Sequence, residues 1–209
     1  MRCSHLNRAL GLNQEAGGTY EYMSKNIADM RFHSFGTMKI FERRRRVYAK
    51  LRNLITYMGF LVPLLVGGIA LSFDANSTVF KTVVIPIASI VMIFQMCISL
   101  WSTIEGWDTK HEYSIGAIRS NNSLYLKVNS ICSNGLKLNK LELQQLENDY
   151  SRQDADDSSH GLSKKELRYG YRCALMHFSQ TCPTCNEKPH KAKPTDCDTC
   201  GNFPRRFNW

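Results

Sequence analysis

Two stretches of this chain lack charge altogether. From Asn53 to Phe73, and again from Thr82 to Ile104, there is no Asp, Glu, Lys or Arg. That absence excludes an ordinary amphipathic surface helix, whose outer face meets water and carries charge. Each stretch holds about 20 residues, the length at which a helix crosses a hydrocarbon layer about 30 Å thick. Two transmembrane helices are the reading, with a buried helical hairpin as the alternative. Residues 1–52 lack an apolar run long enough for a cleavable signal peptide, so the first span is expected to direct its own insertion. The chain also lacks a P-loop, a dinucleotide fingerprint and a nucleophile elbow. His111-Glu112-Tyr113-Ser114-Ile115 begins like a zinc-protease helix but has no second histidine. No catalytic residue is assigned, and the expectation is a protein that is not an enzyme.

What is present is unevenly distributed. The 209 residues carry a formal charge of +9, and the mean hydropathy of −0.32 conceals the apolar stretches. Before Asn53 there are eleven Lys and Arg against four Asp and Glu, a net of +7; after Ile104 there are fifteen against thirteen, a net of +2. Arg43, Arg44, Arg45, Arg46, Lys50 and Arg52 crowd the entry to the first span. Positive residues there stay on the cytoplasmic side, and their long side chains reach anionic lipid headgroups. Two spans return the chain to the same side, so both termini are expected to be cytoplasmic. Asn76-Ser77-Thr78 and Asn121-Asn122-Ser123 match the glycosylation pattern but sit too near the membrane or on the wrong side, and are read as chance.

The expected fold is an all-α membrane protein. Residues 1–37 hold Gly11, Gly17, Gly18 and Gly36 and are read as weakly structured. Residues 38–135 form a basic helix, a transmembrane hairpin (spans about 54–73 and 82–104) and a long cytosolic helix. Pro63 should kink the first span, whereas Pro86 sits near the start of the second, where it costs least. Residues 136–180 supply shorter helices. Asn139 and the Ser163–Glu166 capping box mark their starts, and Ser151–Gly161 is read as a loop. Along the second span Gln95, Ser99 and Ser102 share one face. They are candidates for a helix–helix contact or for a pore lining. Two helices cannot enclose an aqueous path, so conduction would need a homo-oligomer.

Residues 181–209 carry the most specific chemistry. Cys182-Pro-Thr-Cys185 and Cys197-Asp-Thr-Cys200-Gly201 are two knuckles, each placing two thiolates in one tight turn. Together they supply Cys₄ coordination for zinc. A segment this short cannot bury a core, so the metal would supply its folding energy, and Gly201 after the second knuckle permits a positive φ. Cys3, Cys97, Cys132 and Cys173 are scattered. His177 and His190 are possible substitute ligands. Lys188, His190, Lys191, Lys193, Arg205 and Arg206, interleaved with Phe203, Phe207 and Trp209, suggest either a tail packed on the helices or a single-stranded nucleic-acid surface. The packed tail is preferred.

The spacing C-x₂-C-x₁₁-C-x₂-C, downstream of two spans and with Trp101–Lys110 following the second, resembles the prokaryotic mobilome CxxCx(11)CxxC proteins. These sit among the SLATT-type two-transmembrane effectors. The resemblance implies a bacterial inner-membrane effector of anti-phage or mobile-element conflict that oligomerises to permeabilise the membrane. Its trigger would be a sensor protein or a nucleotide signal, although no sensor domain is recognisable here. The alternative is a membrane-tethered zinc-ribbon adaptor that docks a protein or nucleic-acid partner without forming a pore.

Overall fold

The structure, a computed structural model, describes the backbone of residues 14–72, 78, 80–134 and 138–205, and side chains from Asn26 onward within those ranges except Ala70. Every regular element among them is helical: α1 (Gln14–Ser72), a π-helical turn (Phe80–Val84), α2 (Ile85–Ile104), α3 (Trp107–Asn134), α4 (Lys140–Ser159) and α5 (Lys164–His177). The chain divides into two compact units. Arg43–Ser114 forms a hairpin unit, and the residues up to Glu42 together with those from Ile115 form a helical unit.

In the hairpin unit, the charge-free stretches become the C-terminal part of α1 and the whole of α2. Both are long and apolar enough to cross a membrane, and their most apolar windows are 6% and 0% buried. Side chains that are at least partly covered recur at Leu51, Ile55, Met58, Val62 and Val66, and at Val84, Ala88, Val91, Gln95, Ile98 and Ser102. Steps of three and four mark one seam per helix, the spacing of antiparallel pairs. Outside the seam, Phe60, Leu64, Leu71, Ile90 and Met96 are exposed. Pro63 lies inside α1, which runs on through it, and Pro86 occupies the first turn of α2.

The helical unit has three apolar clusters. Phe32, Phe35 and Met38 of α1 pack with Ala174 and Leu175 of α5. Ile27 and Met30 pack with Leu124, Val128 and Ile131 of α3 and Leu146 of α4. Ile40 meets Tyr169 and Phe203. The segment before Met38, expected to be weakly structured, is therefore helical from Gln14, and from Ile27 it supplies core. Residues 1–13 lie outside the described residues. Gly36 is no breaker. It sits within α1 against Gly170 of α5, where a Cβ on Gly170 would lie 2.7 Å from the Gly36 carbonyl oxygen. A helical glycine costs about 1 kcal/mol relative to alanine, and the close approach of two helices offsets that.

Helix ends follow local chemistry. Both Asn139–Glu142 and Ser163–Glu166 form capping boxes. Residues 151–159, expected as a loop, continue α4, because buried Asp157 accepts hydrogen bonds from Asn121 Nδ2 at 2.6 Å and Gln153 Nε2 at 3.0 Å. Gly161, at φ +65°, stops the chain just beyond. The helix after the second span does not prolong it directly: Gly106, at φ +62°, separates α2 from α3. At the end of α5 the N–H of Ser179 donates to the Met176 carbonyl and that of Gln180 to the Leu175 carbonyl. This is a Schellman turn, and it holds Ser179 at φ 53°. It delivers the chain to Cys182.

Candidate metal centre

The two knuckles are built alike. In the first, the N–H of Asn186 donates to the Cys182 carbonyl at 2.9 Å; in the second, that of Gly201 donates to the Cys197 carbonyl at 2.8 Å. Thr184 and Thr199, at matching positions, face each other with hydroxyl oxygens 2.7 Å apart. Only Asn186 takes a positive φ, at 56°. Gly201, which would permit one, does not use it. It is needed for space instead: a Cβ there would overlap Thr195 Oγ1 and lie 2.8 Å from the Thr195 carbonyl oxygen, which accepts no bulk because the Thr195 N–H already donates to Gly201 at 3.0 Å.

The four Sγ atoms all lie within 4.8 Å of one another. Cys182 and Cys197 are 3.9 Å apart, and Cys185 and Cys200 3.7 Å. A disulfide would need about 2.05 Å. A tetrahedral ion with metal–thiolate bonds of about 2.3 Å places its sulfurs about 3.8 Å apart. The separations therefore fit a metal and exclude a bond.

Electrostatics point the same way. Burial pushes the Cys182 thiol up, but the N–H groups of Cys185 and Thr184 outweigh it and draw the pKa down to about 7. The Cys200 N–H, against burial, lowers Cys197. At Cys185 the Glu187 N–H favours the thiolate, yet burial and the Cys182 and Cys197 thiols leave it raised; burial first, then the neighbouring thiols, push Cys200 up strongly. Without a cation the thiols are drawn in opposite directions, Cys182 and Cys197 down and Cys185 and Cys200 up. Like charges about 4 Å apart repel by roughly 4 kcal/mol at an effective dielectric of 20, so a divalent ion is what would let all four ionise.

The cluster is not a free-standing ribbon. Cys182 and Cys200 are buried in the same core as Phe32, Phe35, Met38, Ala174 and Leu175. Helix α5 reaches it through two arginines one turn apart. Arg172 is buried and donates from Nε to the Lys191 carbonyl at 2.9 Å, and from Nη1 towards Thr195 Oγ1, the Cys200 carbonyl and Cys200 Sγ. Arg168 donates to the Asn202 carbonyl and pairs with exposed Asp198. Neither arginine was singled out from sequence. The signal was their spacing of four beside the apolar face of α5.

The remaining sequence candidates lie elsewhere. Gln95 turns into the hairpin's own seam, 3.7 Å from where a Cβ on Gly59 would sit, and Ser99 and Ser102 are partly covered. Of the basic stretch, Arg45, Arg46, Lys50 and Arg52 are exposed and Arg43 is partly covered, whereas Arg44 is buried and faces the protein rather than lipid. His177 stacks on Phe35 with centroids 4.0 Å apart and meets Tyr125 Oη at 3.1 Å; it and exposed His190 are not in the cysteine cluster. Lys188, Lys191, Lys193 and Arg205 are exposed, and Phe203 is buried against Tyr169. Arg206, Phe207 and Trp209 lie outside the described residues. Cys97 and Cys173 form no disulfide, and Cys132 is disulfide-bonded.

Fold and site together define an all-helical protein with two span-length apolar helices and a four-cysteine site of metal-binding type. Residues 24–203 match the family of mobilome CxxCx(11)CxxC proteins, and the chain belongs to that family. Comparison with curated proteins and with solved structures finds no match.

Proposed function

We propose that this protein is a membrane effector of mobile-element conflict. Its hairpin inserts into the bacterial inner membrane with both termini cytoplasmic, and several copies assemble to permeabilise it. The helical unit, closed by zinc at Cys182, Cys185, Cys197 and Cys200, acts as the gate. The observation that carries the reading is the exposure of both apolar helices everywhere outside their seams. A soluble core helix of that length would be buried, whereas here large side chains from Phe60 to Ile104 have nothing but a partner or lipid to cover them. Zinc suits four thiolates in a closed tetrahedral site. A sensor protein or nucleotide signal is the expected trigger.

A second reading, a membrane-tethered adaptor, is favoured by one contact. Gln95 Nε2 lies 3.7 Å from where a Cβ on Gly59 would sit within the hairpin, which supports a role for that polar group in the hairpin's own seam. Membrane-potential dyes in cells expressing the chain at verified membrane levels separate the two. Loss of potential that Gln95→Leu and Ser99→Leu blunt supports permeabilisation. Unchanged potential, with activity kept when an unrelated two-span anchor replaces the hairpin, supports the adaptor. Orientation is tested directly, by labelling single cysteines placed at residues 78 and 190. A cytoplasmic site at 78 would reverse the proposed topology.

A further inference from the structure

We propose that Arg172 is the positioning residue of the metal centre, and that its buried guanidinium and the loaded thiolate cluster each require the other. This rests on the reading that the four cysteines hold a metal. Arg172 is only 5% exposed. A buried charge is stable only when paired and hydrogen-bonded. Yet its partners are the Lys191 carbonyl, the Thr195 hydroxyl, and the carbonyl and sulfur of Cys200, with no carboxylate among the described residues. The one partner able to carry negative charge is the Cys200 sulfur, at 3.7 Å.

Charge bookkeeping makes the dependence mutual. Four thiolates around a divalent ion leave a net of −2, half-buried in an apolar core. An N–H aimed at a ligand sulfur offsets part of that charge and fixes the side chain's direction. The guanidinium in turn finds its sulfur partner only at Cys200, 3.7 Å from Nη1. Arg172 also clasps three points of the segment leading into and through the second knuckle, at Lys191, Thr195 and Cys200. Occupancy of the site is thereby coupled to the seating of that segment on α5. Arg168, one turn earlier, is the internal contrast: it touches the same knuckle, but its acidic partner Asp198 is 79% exposed and it makes no contact with sulfur.

The test uses the purified full-length chain in detergent. Zinc affinity is measured by competition with a chromogenic chelator, and the site is also loaded with cobalt(II) to read the sulfur-to-metal charge-transfer band. Arg172→Gln is expected to weaken zinc binding by about 10- to 100-fold, the usual cost of losing an outer partner of a metal ligand, and to shift the band. Arg172→Lys keeps the charge without the fork, so it should fall between Gln and the wild type. Arg168→Gln should leave both readouts unchanged. Wild-type affinity and an unshifted band in both Arg172 variants would overturn the proposal, as would an equal loss in Arg168→Gln. If Arg172→Gln fails to fold, the band in Arg172→Lys decides alone: shifted supports, unshifted overturns. A wild-type chain that binds neither metal defeats the metal reading itself, a distinct failure.

Discussion

Gly36 and Gly170 bring two helices together backbone to backbone. A Cβ on Gly170 would lie 2.7 Å from the Gly36 carbonyl oxygen and 2.8 Å from Ile40 Cδ1, both below ordinary contact. Gly170→Ala is therefore expected to destabilise the helical unit by about 1–3 kcal/mol, the cost of overpacking a filled core, read as a lower Tm by circular dichroism. Gly67 and Gly68 have nothing within 4 Å of an added Cβ. Alanine there should be neutral or slightly stabilising in a lone hairpin. A drop in oligomer size on Gly67→Ala would instead show that another copy packs at that face.

Metal content gives the second expectation. The purified chain should hold about one zinc per four paired cysteines by elemental analysis. Cys182→Ser and Cys200→Ser should harm stability more than Cys185→Ser, because the first two are buried among Phe32, Phe35 and Leu175. Full metal content in Cys200→Ser would contradict a four-cysteine site.

His177 should make stability depend on pH. Burial first, then Lys39 and Arg31, hold its pKa below the ordinary 6.5. The unfolded chain therefore takes up the proton more readily than the folded one. Its contribution is fully present above pH 6.5 and is lost as pH falls through the folded value. The groups facing the ring are Phe35, Phe178 and Tyr125, with Lys39 lying over Phe35 and Arg31 over Phe178. His177→Phe should flatten that part of the stability profile between pH 7 and 5. An identical profile in the variant would remove His177 as its source.

Ser179 carries left-handed backbone at φ 53° with no glycine's freedom. Ser179→Gly should raise stability by about 1 kcal/mol. Ser179→Val, branched at Cβ, should lower it. Thermal melts of the pair check the order.

Charge placed in the apolar helices should block insertion. Phe60→Lys and Phe94→Lys replace side chains that are 76% and 64% exposed, at about 2.5–3.5 kcal/mol each near mid-span. The doubly substituted chain should leave the carbonate-resistant membrane fraction. Retention there would mean these positions do not face lipid.

Much of this architecture is legible in the residues, for reasons that separate cleanly. The charge-free stretches, the capping boxes at Asn139 and Ser163 and the cysteine spacing are local signals, and α2, α4, α5 and the knuckles follow them. What misled was also local. Gly17, Gly18 and Gly36 read as helix breakers, yet the chain is helical from Gln14, and from Ile27 onward contacts with α3, α4 and α5 support it. The Asp- and Ser-rich end of α4 read as a loop until Asn121, 36 positions earlier, was found bonded to Asp157. Arg172 reads as solvated charge in any window and acquires meaning only when Lys191, Thr195 and Cys200 come round to meet it.

The sharing of one core by Phe32, Phe35 and Met38 with Cys182 and Cys200 has a consequence for the order of synthesis. The apolar face of α1 emerges from the ribosome some 150 residues before the cysteines that help cover it, about 8–30 seconds at about 5–20 residues per second. Both apolar helices are complete well within that interval. A chain stalled or cut before Cys182 would lack two buried members of that core and leave part of it open, the kind of surface that chaperones hold and proteases find.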